Sequence, residues 1–423
     1  MWPCPVRSER QTTLTAPHVS AESTGLMNSV TVKLSFDVLR KRAEALVPRF
    51  RERARQAELD RRVPDESVQE LQAAGLFEIQ KPSRFGGAEL GLTEFVEIAA
   101  LLGRGCGSTA WVYSVTAERA WLLAKFSALA QEEVWGANPQ ALITSSITPN
   151  GQAEEAYGGC RITGHWRFVS GIDIAEWAVF CSFRNGASKA DPLPIVPVYV
   201  LVPKSDCEVI DTWHVAGLSA TASHDVKLNN IFVPEHRIVR MLDLKEGGGP
   251  GLALNTAPLY KLPLIAINPY AILAPILGIA EGALEQTLET SKARRLVANG
   301  VVVETQSVQL RIAEAASEIA AARALILSDC REAMAAVEEG AQLTIEQRLR
   351  LRRNQAYTTR LLVSAVDHLF VVSGGRGIYL DHFMQRSFRD MHAAGAHLGL
   401  SWDLAGTLWG QHALGLPVVS AAY

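Results

Sequence analysis

What most constrains this 423-residue chain is a change of period along it. From about 31 to 140, apolar residues recur at helical spacing, as in SFDVLRKRAEALVPRFRERARQAELDRRVP, with Pro64 marking a break. From about 141 to 241 the segments become short and extended. They are rich in β-branched and aromatic residues and bounded by Gly, Pro, Asp and Asn. From 252 to 423 helical spacing returns, in QLRIAEAASEIAAARALILSDCREAMAAV and LTIEQRLRLRRNQAYTTRLLVSAVDHLFVVSG. Helices, then strands, then helices predict an α+β fold. It has an N-terminal helical domain over 31–140, a mostly antiparallel sheet or small barrel over 141–241, and a helical bundle over 252–423. LKEGGGPG at 244–251 reads as the join. Residues 1–30 are polar, without the apolar core of a signal peptide, and read as a disordered tail.

Several function classes drop out on composition. With 41 Lys and Arg against 44 Asp and Glu, the charge of -3 gives no reason to expect nucleic acid. The six cysteines are scattered, without zinc or redox-pair spacing, which fits a reducing cytoplasm. No metal is expected: His392 and His397 share a helix face poorly, and no facial triad is evident. The apolar run LPLIAINPYAILAPILGIAEGAL at 262–284 is long enough for a membrane span of roughly 20 residues. Asn268, Pro269 and Pro275 inside it favour a buried helix instead. No strand-led glycine fingerprint for a dinucleotide occurs, because GGRG at 374–377 follows a helical run.

GGCRITGHWRFVSGIDIAEWAVF at 158–180 reads as two extended segments joined by a polar turn. Period two puts Ile162, Gly164, Trp166 and Phe168 on one side. The residues alone leave two readings open: a hairpin with a packed face and a Ser170–Gly171 turn, or one wall of a site for a flat ligand.

Taken in order, several strings carry a resemblance: LQAAGLFEIQKPSRFGG (71–87), GSTAWVYS (107–114), ITSSITPNG (143–151), GHWRFVSGIDIAEW (164–177), DTWHVAGL (211–218), NNIFVPEHRI (229–238) and FRDMHAAGAHLGLSWD (388–403). From about 35 to 410 the chain resembles the acyl-CoA dehydrogenase fold. Within it, the chain resembles the oxygenase components of two-component flavin-dependent monooxygenases, such as p-hydroxyphenylacetate hydroxylase. The resemblance implies a homotetramer that takes reduced FMN, or FADH2, noncovalently from a separate NAD(P)H-dependent reductase. With O2 as cosubstrate, a C4a-hydroperoxyflavin would then oxygenate an aromatic or polycyclic substrate.

It also implies roles. Ser170 of FVSG would approach the flavin ring near N5, where a hydroxyl can donate or accept. Trp166 would wall the ring, while Trp177 holds the hairpin core. Ser145 would meet the flavin, and Ser146 and Tyr113 the substrate. His397 would act on the substrate oxygen or the hydroperoxide proton, its ordinary pKa lying near working pH. Arg294 or Arg295, with backbone donors at Gly374 and Gly375, would hold the flavin phosphate. Arg389 and Asp390 read as an ion pair fixing the last helix.

The chain departs from the family pattern at two places. Arg119 stands where phenol-hydroxylating relatives often carry a histidine. It cannot be a general base, but it could bind a phenolate or carboxylate. GLSATASHDV (217–226) carries Ser219, Thr221 and Ser223 where glycine and arginine are usual, so these hydroxyls are expected to serve as donors to the flavin, Ser223 above all. A dehydrogenase-type glutamate base is missing near GGRGIYLDHF, which leaves acyl-CoA desaturation as the alternative. A non-catalytic protein that retained the fold is a third reading.

Overall fold

The computed structural model describes residues 34–185, 195–292, 295 and 301–418. The expected tail and Arg294 lie outside them. Residues from Leu34 onward form one compact unit.

The N-terminal helices are α1 (Phe36–Asp60), α2 (Asp65–Ala73), α3 (Leu92–Gly103), α4 (Gly107–Ala117), α5 (Arg119–Leu123) and α6 (Ala128–Gln131). Ser35 caps α1 through its hydroxyl, and left-handed Arg61 ends it. Seven strands follow: β1 (Ile143–Ala156), β2 (Gly159–Val169), β3 (Trp177–Asn185), β4 (Ile195–Pro203), β5 (Glu208–Ile210), β6 (His224–Pro234) and β7 (Ile238–Arg240). After α7 (Met241–Lys245), the bundle comprises α8 (Leu264–Ser291), α9 (Gln306–Glu338), α10 (Ile345–Ser373), α11 (Phe383–Gly395) and α12 (Trp402–Ala413). A Thr344–Gln347 capping box starts α10, and its helix stops at Gly374.

The apolar run at 262–284 is a core helix. From Leu264 to Ala283 almost every residue of α8 is buried, against α3, α4, α9, α10 and α11. It is apolar all round because it has neighbours all round.

The strands form one sheet in the order β5-β6-β2-β1-β3-β4-β7. All pairs are antiparallel except β1 with β3. This corrects the hairpin reading of 158–180: β2 and β3 are not partners but flank β1 on opposite sides. The chain leaving β2 must therefore step over the end of β1 before β3 can begin. Residues 170–176 make that step, with Glu176 N–H donating to Leu142 O. Trp177 opens β3 opposite Ile143 and lies under the Arg237 guanidinium at 5.0 Å, so it packs against the helical core and not in a hairpin.

A bulge between Trp166 and Val169 breaks the alternation of β2. Phe168 takes φ 58° and is 68% exposed, whereas Trp166 is 1% exposed. The two do not share a face. Trp166 lies in the smaller core on the outer side of the sheet, donating its indole N–H to Cys181 O at 2.8 Å.

The last helix is also not single. It breaks after Gly395, and a 3₁₀ turn over Leu398–Leu400 separates α11 from α12. His397 sits in this break, so helical spacing from His392 does not describe it.

Candidate functional site

The step over β1 places Ser170 at the centre of a polar cluster. Gly171 follows at φ 76°, and a Cβ there would come within 2.9 Å of the Thr116 methyl group. Glycine therefore lets the loop approach α4 closely. Trp111 of α4 donates its indole N–H to Ser170 Oγ at 3.2 Å. Ser170 Oγ lies 2.6 Å from Ser223 Oγ, which lies 2.7 Å from Thr221 Oγ1. Thr221 donates onward to Leu218 O at 2.9 Å. Thr144 of β1 donates to Ser170 O. Trp111, Thr221 and Ser223 are buried, and Ser170 is the member that reaches solvent.

The loop carrying Thr221 and Ser223 is clamped from α11. Asp390 Oδ1 accepts from Leu218 N–H at 2.6 Å, and burial raises the Asp390 pKa to about 6. A Cβ on Gly217 would come within 2.1 Å of Arg389 O, so only glycine fits. Arg389 pairs with Glu58 of α1 and donates to Ala216 O. Arg389 and Asp390 thus do fix this region, but through separate partners and not as a pair.

On the other edge of Trp111 stands His397, ring centres 6.0 Å apart. Its Nδ1 accepts from Gly399 N–H at 3.0 Å. A nitrogen that accepts carries no proton, so neutral His397 holds its hydrogen on Nε2. The ring is open to solvent on one side yet closely surrounded on the others. That enclosure and, secondly, the nearby Arg352 charge push its pKa down to about 4. At neutral pH His397 is therefore an N–H donor whose lone pair is already engaged, and not a free base.

Arg119 behaves differently. It is 5% exposed and sits between α5, β1 and α8. Its Nε donates to Ser145 Oγ at 2.6 Å. Asn268, its amide oxygen facing the guanidinium, accepts from Nη2 at 2.8 Å and Nη1 at 3.1 Å. Glu118, fully buried, is the ion-pair partner. Burial pulls the Arg119 pKa down to about 10, so it stays charged at neutral pH. The guanidinium is spent on internal partners and offers no free fork to a substrate anion. Ser145 accepts from that guanidinium through one lone pair of its hydroxyl.

The other expected residues divide. Tyr113 is a core residue, its hydroxyl donating to Leu76 O at 3.2 Å and its ring beside Phe77, so it presents nothing to a substrate. Trp166 likewise has no free surface. Ser146 is half-buried and donates to Arg167 O at 3.4 Å. Gly374 and Gly375 are exposed beyond α10, and Arg295 is exposed beside Val301. Among the described residues no hydrogen bond or ion pair joins these three to the Ser170 cluster. Sequence reasoning missed Trp111, two residues before Tyr113. The available signal was helical phase, since neighbours two apart on a helix point about 200° apart. Asn268 was read only as a helix interruption.

The cluster fits a flat, uncharged ring. Ser170 keeps one lone pair free, His397 has one free N–H, and Trp111 lies between them. Beside Ser170, exposed Phe168 stands edge-on to half-buried Trp213, centroids 6.0 Å apart. No group of three or more metal-ligating side chains occurs among the described residues.

Residues 37–137 match the acyl-CoA dehydrogenase N-terminal domain, and residues 270–402 the acyl-CoA dehydrogenase C-terminal domain. The fold class is thereby an acyl-CoA dehydrogenase-like one. The chain is 36% identical over 380 residues to the flavin-dependent monooxygenase oxygenase subunit HsaA of Rhodococcus jostii (strain RHA1), covering 89% of this chain and 98% of that one. It is 36% identical over 377 residues to the FADH(2)-dependent resorcinol hydroxylase oxygenase component of Rhizobium sp. (strain MTP-10005), covering 87% and 91%. The crystal structure of 3-HSA hydroxylase from Rhodococcus sp. RHA1 superposes with a TM-score of 0.87 at 35% identity, over 92% of this chain and all of that one. The chain belongs to the family of oxygenase components of two-component flavin-dependent monooxygenases. Its cofactor is a flavin, and neither desaturation nor a non-catalytic role describes it.

Proposed function

We propose that this chain oxygenates an aromatic or polycyclic substrate at the space bounded by Ser170, Trp111 and His397, using reduced flavin delivered by a separate reductase. The observation that carries this is Trp111, which touches Ser170 at its indole nitrogen and His397 across its ring. Reduced flavin, FMN or FAD, activates oxygen when bound. Ser170 holds the ring edge through its free lone pair. His397 donates its Nε2 hydrogen to an oxygen of the substrate or of the activated oxygen.

The aromatic substrate follows from relatives such as the resorcinol hydroxylase. Arg119 orders the substrate side through Ser145 and Asn268 instead of touching an anion, which favours a neutral phenol or polycycle over a carboxylate. We also propose a cytoplasmic homotetramer. Ile378, Tyr379 and Leu380 are exposed beside Gly374 and Gly375, and such a patch suits burial against another copy, where Arg294 or Arg295 could reach a flavin phosphate.

The test is product formation from a panel of phenols. NADH and substrate alone give nothing, and adding a flavin reductase gives oxygenated product. Bleaching of bound oxidised flavin by an acyl-CoA alone would contradict the reading.

A further inference from the structure

The hydroxyl chain behind Ser170 has a direction. Leu218 O can only accept, and Thr221 Oγ1 lies 2.9 Å from it. Without a hydrogen between them, two sets of lone pairs would face each other, so the Thr221 hydrogen points to Leu218. Thr221 must then accept from Ser223, 2.7 Å away. Ser223, its single hydrogen used, must accept from Ser170, 2.6 Å away. Trp111 N–H fills one lone pair of Ser170 from the other side. A hydroxyl has one hydrogen and two lone pairs, so Ser170 has one lone pair left and no hydrogen to give.

We propose that Thr221 and Ser223 fix Ser170 as an acceptor toward the cleft and thereby select reduced over oxidised flavin. This rests on the reading that the flavin ring edge meets Ser170. A reduced flavin carries a hydrogen on N5, whereas an oxidised flavin carries a bare lone pair there. An acceptor matches the first and repels the second. The selection lies two side chains behind the contact, in residues that touch no ligand: Thr221 and Ser223 are specificity-setting, positioning residues. Their burial keeps water from reorienting the chain. An oxygenase that receives its flavin already reduced gains from this, because spent flavin leaves and fresh reduced flavin enters.

The test is anaerobic titration of the purified full chain with FMN in each redox state, read as the ratio of the two Kd values. Wild type binds reduced FMN more tightly. In Ser223→Ala, Ser170 can turn either way, so oxidised FMN tightens by about tenfold, the size of one hydrogen bond gained, and the ratio falls accordingly. In Thr221→Val, Ser223 loses its acceptor and turns its hydrogen onto Ser170, which must then donate; the ratio falls further. Thr221→Ser keeps the oxygen and keeps the wild-type ratio, which separates hydrogen-bond direction from packing. A wild type without preference, or a ratio within twofold of wild type in both Ser223→Ala and Thr221→Val, overturns the inference while leaving the oxygenase reading intact. A wild type that binds neither form overturns the reading itself.

Discussion

Two polar clusters hang from adjacent residues of β1, and they differ in what they leave over. Thr144 ties into the Ser170 cluster, which is neutral and ends in one unspent lone pair. Ser145 ties into the Arg119 cluster, which is charged and has its guanidinium engaged by Ser145, Asn268 and Glu118. The residue that looked chemically stronger in the sequence is the one with nothing to offer a ligand. Hydrogen-bonding capacity left unused, not charge, marks a side chain as available.

The largest expected break in this comparison is Arg119→Met. It strands Glu118 as an unpaired buried charge and should cost about 3–5 kcal/mol in urea unfolding. Arg119→Met combined with Glu118→Leu should recover most of that loss, whereas a substrate-binding Arg119 would lose turnover with little change in stability.

Next comes the clamp. Asp390→Ala removes the acceptor for the buried Leu218 N–H and should cost about 1–3 kcal/mol, with Asp390→Asn milder because it keeps an oxygen. The sign of its pH dependence is set by the raised pKa. The folded value of about 6 exceeds the usual carboxylate range, so the protonated form favours folding, and that contribution fades as pH rises from about 4 through 6. The difference in stability between wild type and Asp390→Asn should change across that window and level off above it.

Trp111→Phe keeps the ring and loses one N–H, which should shift unfolding by about 1 kcal/mol and weaken the hold on Ser170. Smallest is the effect of acid on His397. Its folded pKa, about 4, lies below the ordinary histidine value, so its contribution to stability is present above about 6.5 and lost as pH falls toward 4. NMR of labelled histidine should find His397 neutral, with hydrogen on Nε2, from pH 8 down to 5. A midpoint near 6.5 would contradict the engaged Nδ1.

The order of helices, strands and helices was legible because periodicity reports which face is buried, and it needs no knowledge of partners. The site was only half legible. Ser170 and His397 sit in strings that the family resemblance marks, and both adjoin Trp111. Trp166 keeps the expected alternation with Ile162, but that face meets the smaller core and not the helices; only Phe168 departs, at a bulge that nothing local in RFVSG announces. The 158–180 hairpin failed because strand order is non-local: β1 inserts between its two arms. Arg119 failed because its partner Asn268 is distant in sequence.

The central claim is that Ser170 serves the ligand and not the fold alone. The direct measurement is the fraction of reduced FMN oxidised that yields oxygenated product and not hydrogen peroxide, in wild type and Ser170→Ala, on folded protein. The account predicts that Ser170→Ala, which leaves the Trp111 N–H unpaired, loses about 1–3 kcal/mol and still folds, while its product fraction falls at least about tenfold. A Ser170→Ala variant with the wild-type product fraction would contradict it.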